Sequence, residues 1–444
     1  MILCAAAFLG VLQAAAPSFY KDVLPVLQNH CQECHRKGEI APMPLVTYEQ
    51  TRPWAKSIRE AVLLKKMPPW FADQANSHFA NNRALSQKQI EILTNWADQG
   101  APAGNRADAP APRAFIDGWR MGQPDQVIEM AQEFHIPATG DVKYQYIPVA
   151  MNFTEDKWIE AAEVRPGNRS AVHHILVYVR EPGSDFVKGP PPESILETAP
   201  PDHSHAPPAD STGILEVGGP AGAAMMTLYV PGGEYLRLEP GQAMLIKKGS
   251  DLIFQIHYTT SGQPKVDRSK IGLRFAKQPP ASRVVFLGLT NRTMRIAPGA
   301  ANYLVTCETT LPEAVRLISI LPHMHVRGKA FELRAVYPDG RTEVLLNVPR
   351  YDFNWQLNYY LDKPRLLPKG TRLENSSWFD NSPNNPQNPN PAVEVFWGEQ
   401  TWEEMDTAFL SLELPPSLTP EKLVELAAPK VTRSAIPEST NPAQ

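Results

Sequence analysis

Proline most constrains what this chain can fold into, since 45 of its 444 residues are prolines and only 26 are glycines. A proline inside a helix removes a hydrogen bond and clashes with the preceding turn, whereas turns and edge strands accept it. The chain is also too long for a single hydrophobic core. We therefore expect several domains, most of them built from short β-strands.

The formal charge narrows the range of partners. Lysine and arginine number 43 against 47 aspartates and glutamates, which gives a net charge of −4 at pH 7 with histidine neutral. No long run of basic residues offers a surface to a polyanion. A nucleic-acid partner is therefore not expected.

An apolar segment opens the chain. Met1–Leu12 carries no charged residue and is followed by small residues. This pattern predicts a signal peptide over residues 1–16, with cleavage near Ala15 or Ala16. The segment is too short to cross a hydrocarbon core of about 30 Å, so no membrane span is expected after cleavage. A periplasmic or secreted location follows.

The motif Cys31-Gln32-Glu33-Cys34-His35 has the spacing C-x-x-C-H. Two thiols one turn apart can add to the two vinyl groups of a haem, and the adjacent His35 then ligates the iron. No second cysteine pair nearby supports a zinc site, and no βαβ pattern supports a redox dithiol. With Cys4 in the signal peptide and Cys307 alone, we predict covalently bound haem c and no disulfide framework.

Helical patterns surround this motif. Ser18–Gln28 places apolar residues on one helical face before it. A later helix begins at Ser86, where Gln89 completes a capping box, and Gly100 ends that helix. We therefore predict a small all-α cytochrome c domain over residues 17–102.

The haem iron needs a sixth ligand, and Met67 is our prediction. Pro68 disfavours helical backbone at Met67, and Pro69 stiffens the loop that would present its sulfur. A methionine ligand raises the potential of a haem. Three other donors remain open: Met43, His30 and His78.

Residues 103–113 form a linker rich in proline and alanine, and beyond it the apolar period changes from 3.6 to 2. Leu252–Tyr258 and Ile175–Val179 are typical of buried strands. Phe331–Val336 and Thr342–Leu346 flank a turn and predict a hairpin.

The β-rich part is long enough for two sandwich domains. We place them over residues 114–280 and 281–415, followed by a polar tail over 416–444. Gly183–Pro220 is rich in proline and glycine, and is expected to be a long surface loop that includes His203 and His205.

Three short motifs place histidines in predicted strands. Successive side chains of a strand point to opposite faces, so His173 and His174 reach one ion only where the backbone twists or bulges. His257 lies in an otherwise apolar strand. His323 and His325 share a face and can bind one metal together. Neutral imidazole suits copper and zinc.

The order of these motifs resembles a known family. His-His is followed by Gln-x-His-Tyr at Gln255–Tyr258, then by His-x-His, and finally by Glu403-Glu404-Met405. This order is similar to that of the copper type II, ascorbate-dependent monooxygenases, the family of peptidylglycine α-hydroxylating monooxygenase and dopamine β-hydroxylase. The similarity extends over about 300 residues.

The resemblance implies two consecutive jelly-roll sandwiches separated by a solvent-filled cleft, each supplying one copper ion. It implies hydroxylation of a C–H bond in a small organic substrate with O2, at the expense of an ascorbate-like reductant or a redox protein. The implied ligands of the electron-transfer copper are His173, His174 and His257. Those of the oxygen-binding copper, and hence the catalytic residues, are His323, His325 and Met405.

The chain departs from the animal enzymes of that family at two positions. Leu321 stands where the peptide-hydroxylating enzyme has the arginine that binds the substrate carboxylate, and Asp406 replaces a cysteine. Met324, between two implied ligands, is expected to point away from them and pack. Two other interpretations remain open: a non-enzymatic electron-transfer or copper-binding protein, and a haem-bearing scaffold with metal-free β domains.

Overall fold

The computed structural model describes residues 16–427, apart from 74, 76–77, 117, 185, 188–195, 198–211 and 218–222. Nearly all of the predicted signal peptide, the motif at His203 and His205, and the end of the predicted tail therefore lie outside the described residues. Within the described part, no helix combines the length and apolar character that a bilayer crossing requires.

The helices are few and short. A π-helical turn (Phe19–Val23) precedes the first α-helix, and two 3-10 turns cover Arg52–Trp54 and Arg106–Asp108. The α-helices are α1 (Leu24–His30), α2 (Tyr48–Thr51), α3 (Ala55–Leu63), α4 (Gln87–Asp98) and α5 (Pro420–Ala427).

Strands make up most of the described chain after residue 125. They are β1 (Gln126–Glu129), β2 (Phe134–Ile136), β3 (Gln145–Ala150), β4 (Lys157–Arg165), β5 (Val172–Arg180), β6 (Leu196–Glu197), β7 (Thr212–Val217), β8 (Ala224–Tyr229), β9 (Leu236–Arg237), β10 (Gln242–Ile246), β11 (Asp251–Tyr258), β12 (Lys265–Asp267), β13 (Lys270–Phe275), β14 (Ser282–Asn291), β15 (Arg295–Ile296), β16 (Tyr303–Thr310), β17 (Val315–His323), β18 (Gly328–Val336), β19 (Thr342–Val348), β20 (Tyr359–Leu367), β21 (Arg372–Phe379), β22 (Val395–Phe396) and β23 (Thr407–Leu414).

Helices α1, α3 and α4 enclose a small apolar cluster of their own. Phe19, Leu27, Leu93 and Trp96 are fully buried in it. The predicted capping box of α4 is confirmed, because the Ser86 hydroxyl accepts from the Gln89 N–H and the Gln89 side chain accepts from the Ser86 N–H. Phe19 and Val23 of the π-helical turn belong to this cluster. The C-x-x-C-H motif follows directly after α1.

Two larger cores lie between β-sheets. In the first, a five-stranded sheet (β6-β3-β11-β5-β8) packs against strands β1, β13, β4 and β10. In the second, a four-stranded sheet (β16-β21-β18-β19) packs against β14, β23, β17 and β20. The fold is thus mostly β, and its sheets are consistent with β-sandwich domains. The predicted hairpin is confirmed, since β18 pairs with β19.

One ten-stranded sheet runs through both cores. Strands β10 and β14 pair in parallel at Gln242↔Ser282 and Ala243↔Arg283 and join the two halves. Such a continuous sheet fixes the orientation of one sandwich relative to the other. Strand β17 belongs to this sheet, whereas β5 and β11 belong to the five-stranded sheet of the first core.

Two segments differ from the expectations. Strand β7 lies inside the predicted surface loop and pairs with β14, which satisfies the hydrogen bonds of its apolar residues. Trp70 and Phe79, counted above with the helical domain, pack in the second β core, where their rings lie 5.0 and 5.4 Å from that of Tyr359. Burial of their large aromatic surface stabilises this position, although their neighbours in the sequence belong to the helical part.

Candidate metal centres

Three histidines converge where β5 and β11 pair. His174 lies opposite His257, but Tyr258 lies opposite Val172, so His173 is the extra residue of a β-bulge. The bulge turns both adjacent imidazoles to one side, which is one of the two arrangements that would let them reach one ion. One ring nitrogen from each of the three histidines lies within 4.8 Å of the others. We call them the three-histidine group.

The three-histidine group is held in the neutral state. Burial lowers the pKa of His257 to about 3. The pKa of His174 lies well below its usual value, first through burial and then through the four neighbouring imidazoles. The His257 Nδ1 atom is buried and has no hydrogen-bond partner among the described residues. Neutral rings with an available lone pair are the form in which histidine binds copper or zinc.

His323 and His325 form a second pair at the end of β17, with ring centroids 5.2 Å apart. The His323 Nδ1 atom lies 2.7 Å from Gln356 Oε1, and the His325 Nδ1 atom lies 3.2 Å from the Glu403 carbonyl oxygen. The His325 Nε2 atom is buried without a partner among the described residues. Both rings are thus fixed through Nδ1, which leaves Nε2 as the ligand atom.

Burial also keeps this pair neutral, because it lowers the pKa of His323 to about 4 and that of His325 to about 3. The buried carboxylate of Glu404 accepts hydrogen bonds from the backbone N–H groups of His325 (2.8 Å) and Arg327 (2.6 Å). These bonds tie the end of β17 to the loop that contains Met405.

Sheet pairing brings Met405 to the same place. His323 lies opposite Thr407 in the β17–β23 ladder, and Met405 comes two residues before Thr407. His174, His323 and Met405 line one cavity of about 30 Å³, together with the aromatic rings of Tyr144 and Phe409. Met324 points away and is fully buried in the second core, as predicted.

The two histidine sets face each other across one aromatic ring. The centroid of Phe353 lies 6.0 Å from that of His173, 6.3 Å from that of His257 and 6.1 Å from that of His325. Phe353 is itself buried. Phe353 therefore packs against rings of both sets, next to the cavity that His174 and His323 line together, and the solvent-filled cleft stays a prediction.

The C-x-x-C-H motif follows α1 in a tight turn, where the N–H of His35 donates to the Cys31 carbonyl. The His35 Nδ1 atom lies 3.1 Å from the Met43 carbonyl oxygen, which leaves Nε2 as the ligand atom. Both ring nitrogens of His30 have partners, at Arg83 and Gln89, which disfavours His30 as an iron ligand.

The other candidates for the sixth position are less constrained. Met67 is half-buried in the turn after α3, where its N–H donates to the Ala61 carbonyl. His78 is exposed, and Met43 packs beside the helical cluster. Met67 as the sixth ligand stays a prediction.

The motif lies against the first sandwich. A Cβ atom on Gly232 would lie 3.0 Å from Cys34 Sγ and 2.8 Å from the Arg83 Nη1 atom, so both side chains pack closely on the Gly232 backbone. Arg83 pairs with Glu234 at 3.0 Å. Gly232 comes three residues after β8, whose Tyr229 lies opposite Ile175, next to His174. A short path thus runs from the motif to the three-histidine group.

Sequence reasoning did not find Gln356, Phe353 or Tyr144. Tyr144 packs edge-on against His257 and His174, with centroid distances of 4.9 and 5.6 Å. None of these three residues lies in a sequence motif that indicates a metal site. The one available signal is the short aromatic cluster Tyr351–Trp355 in a connection between strands.

Comparisons with known proteins add little. No protein-family model matches the sequence, and no curated protein matches it. Similar solved structures include the VP2 subviral particle of infectious bursal disease virus, at 8% identity over 68% of this chain and 75% of that chain, with a TM-score of 0.19. T=1 particles derived from the virus match at 9% identity over 68% and 72%, also with a TM-score of 0.19. Scores this low support no argument.

Proposed function

We propose that this chain is a copper-dependent monooxygenase with its own haem electron carrier, acting on a C–H bond of a small organic molecule. One observation carries the proposal: five neutral, largely buried imidazoles form two sets on either side of Phe353, and Met405 lines the same cavity as His174 and His323. Orphaned ring nitrogens in both sets fit bound metal.

In this proposal His173, His174 and His257 hold an electron-transfer copper. Three imidazoles tolerate both oxidation states of copper. The bulge in β5 fixes two of the rings, and the ladder with β11 fixes the third. The residues therefore hold their geometry while an electron enters and leaves, which keeps reorganisation small.

The second set, His323, His325 and Met405, is proposed to hold the oxygen-binding copper. A thioether beside two imidazoles favours the reduced ion. When bound, copper supplies the O2 chemistry that side chains lack. The reaction converts C–H to C–OH, releases the other oxygen atom as water and consumes two electrons and two protons. The chain's own residues orient the ligands and exclude water.

Cys31, Cys34 and His35 are proposed to hold haem c, with Met67 as the sixth ligand. The close approach of Cys34 to Gly232 supports a direct path for electrons from the haem to the three-histidine group. An ascorbate-like reductant or a redox protein would reduce the haem. Covalent haem attachment agrees with export to the periplasm or beyond.

Stopped-flow spectroscopy of the haem tests the relay. Reduced haem is expected to be oxidised faster in copper-loaded protein than in copper-free protein, and His173→Ala is expected to abolish the difference. Equal rates in the loaded and copper-free proteins would contradict the relay. Met405→Ala serves as the matched control, because it leaves the proposed electron acceptor intact.

A non-enzymatic electron-transfer protein with the same ligands is the second candidate. The small cavity favours it, since about 30 Å³ holds about one water molecule and no organic substrate. Incorporation of labelled oxygen from O2 into added organic compounds separates the two functions. A hydroxylated product that disappears in Met405→Ala supports the enzyme, and its absence across alkyl and aryl compounds supports the carrier.

A further inference from the structure

One loop contacts both histidine sets and the turn that precedes Met67. It covers residues 350–357, between β19 and β20, and we call it the bridging loop. The Arg350 guanidinium donates to the carbonyl oxygens of Leu64 (2.8 Å) and Lys65, just before Met67. The loop therefore joins the helical part of the chain to the space between the two histidine sets.

The bridging loop also holds a ring from each set. The ring centroid of Phe353 lies 6.0 Å from that of His173. The side chain of Gln356, itself only 3% exposed, meets His323 at 2.7 Å. Phe353 also packs against His325 of the other set, with ring centroids 6.1 Å apart. One short segment thus fixes rings that belong to different sandwiches.

The two atoms in contact, His323 Nδ1 and Gln356 Oε1, determine which nitrogen of His323 has the hydrogen. The Gln356 atom that faces the ring is Oε1, and an amide oxygen can only accept, so this arrangement places the hydrogen of His323 on Nδ1. The Gln356 Nε2 atom is buried and has no partner among the described residues. The lone pair of His323 then lies on its own Nε2, on the side of the ring away from Gln356. An imidazole free in water distributes its hydrogen between both nitrogens, and only one of the two tautomers can offer Nε2 as a ligand.

We propose that Gln356 is a positioning residue that presets His323 as an Nε2 donor. The function of this tautomer rests on the copper site proposed above, but the tautomer itself exists without metal. Partners of this kind typically change metal affinity by roughly 10–100-fold.

The first test uses copper-free protein labelled with ¹⁵N-histidine. Long-range ¹H–¹⁵N correlation spectra are expected to show the His323 hydrogen on Nδ1, with the signal assigned by its loss in His323→Gln. In Gln356→Leu the Nε2–H form is expected to gain population, whereas Gln356→Glu retains the acceptor and the Nδ1–H form. A wild-type hydrogen on Nε2 would overturn the proposal.

The second test measures copper affinity by competition with a chelator. In Gln356→Leu the ion that Met405→Ala loses is expected to bind roughly 10–100-fold more weakly, while the ion that His173→Ala loses binds as before. Gln387→Leu, an exposed glutamine outside the loop, is the control. Equal weakening of both ions would reduce Gln356 to a structural role. Wild-type protein that binds no copper would contradict the proposed function, yet the tautomer test would still decide this inference.

Discussion

Arg169 forms an ion pair with Glu39, and this pair joins the helical part of the chain to the first sandwich. Glu39 comes four residues after His35, and Arg169 comes four residues before His173. The contact therefore connects the loop of the C-x-x-C-H motif to the strand of the three-histidine group. Arg36 also contacts Glu39, at 2.8 Å.

Arg169→Gln is expected to lower the free energy of unfolding by about 1–2 kcal/mol, because the largely buried Glu39 carboxylate loses one of its two cations. It is also expected to slow oxidation of the haem by copper, because the docking loosens. Urea unfolding and stopped-flow absorbance measure the two effects. Arg341→Gln, which breaks an exposed pair with Asp339, is expected to leave the free energy of unfolding almost unchanged. Equal effects of the two substitutions would contradict the role of Arg169.

Gly232→Ala is expected to disturb the same interface. Its φ of +70° strains an alanine, and the added Cβ would press on Cys34 and Arg83. Gly140→Ala is a matched control, since its φ of +92° gives similar strain but the Cβ would meet nothing within 4 Å. We expect lower haem incorporation in Gly232→Ala than in Gly140→Ala, measured by the haem absorbance per chain. Identical haem content in the two variants would show that the contact between Gly232 and Cys34 does not affect haem incorporation.

The stability of copper-free protein is expected to fall in mild acid. The folded pKa values of His257, His323 and His325 are about 3, about 4 and about 3, below the ordinary value of 6.5. Below pH 6.5 the unfolded chain binds protons that the folded chain does not, so the stability present above pH 6.5 is lost as the pH falls toward these values. Each group contributes up to about 1.4 kcal/mol per pH unit.

Urea unfolding between about pH 7 and about pH 4 measures this slope. The double variant His323→Gln, His325→Gln lacks two of the groups, so its stability is expected to depend less steeply on pH. An unchanged slope in the double variant would mean that these rings do not titrate on unfolding.

Phe353→Ala is expected to cost about 3 kcal/mol of stability, because the buried ring packs against both histidine sets and leaves a cavity when removed. Phe353→Leu keeps most of the apolar volume and is expected to cost less than about 1.5 kcal/mol. Thermal or urea unfolding distinguishes the two. If both variants were as stable as the wild type, the packing of Phe353 against the two histidine sets would not contribute to the free energy of unfolding.

Local patterns predicted much of what surrounds the sites. The Ser86 capping box, the hairpin after Phe331 and the burial of Met324 follow from rules that act within a few residues. The adjacent histidines at 173 and 174 could share an ion only through a twist or a bulge of the backbone, and a bulge is present. The alternation of apolar residues, which also acts within a few residues, predicted the β-rich fold.

Contacts between distant segments could not be predicted in this way. Trp70 and Phe79 leave the helical cluster for the second core, and the parallel pairing of β10 with β14 joins sheets that the sequence suggests are separate. Phe353 and Gln356 reach the histidines from a connection whose local pattern is typical of a turn. Tertiary packing determines such contacts, and the spacing of apolar residues along the sequence does not predict them.

Quantification of haem and copper in protein matured in an exporting host tests the central claim most directly. We predict one haem and two copper ions per chain, with Met405→Ala keeping the haem and the three-histidine copper but losing tight binding of the other ion. Folded wild-type protein that retains haem yet binds no copper, or a Met405→Ala variant with unchanged affinity for both ions, would contradict the two-copper account.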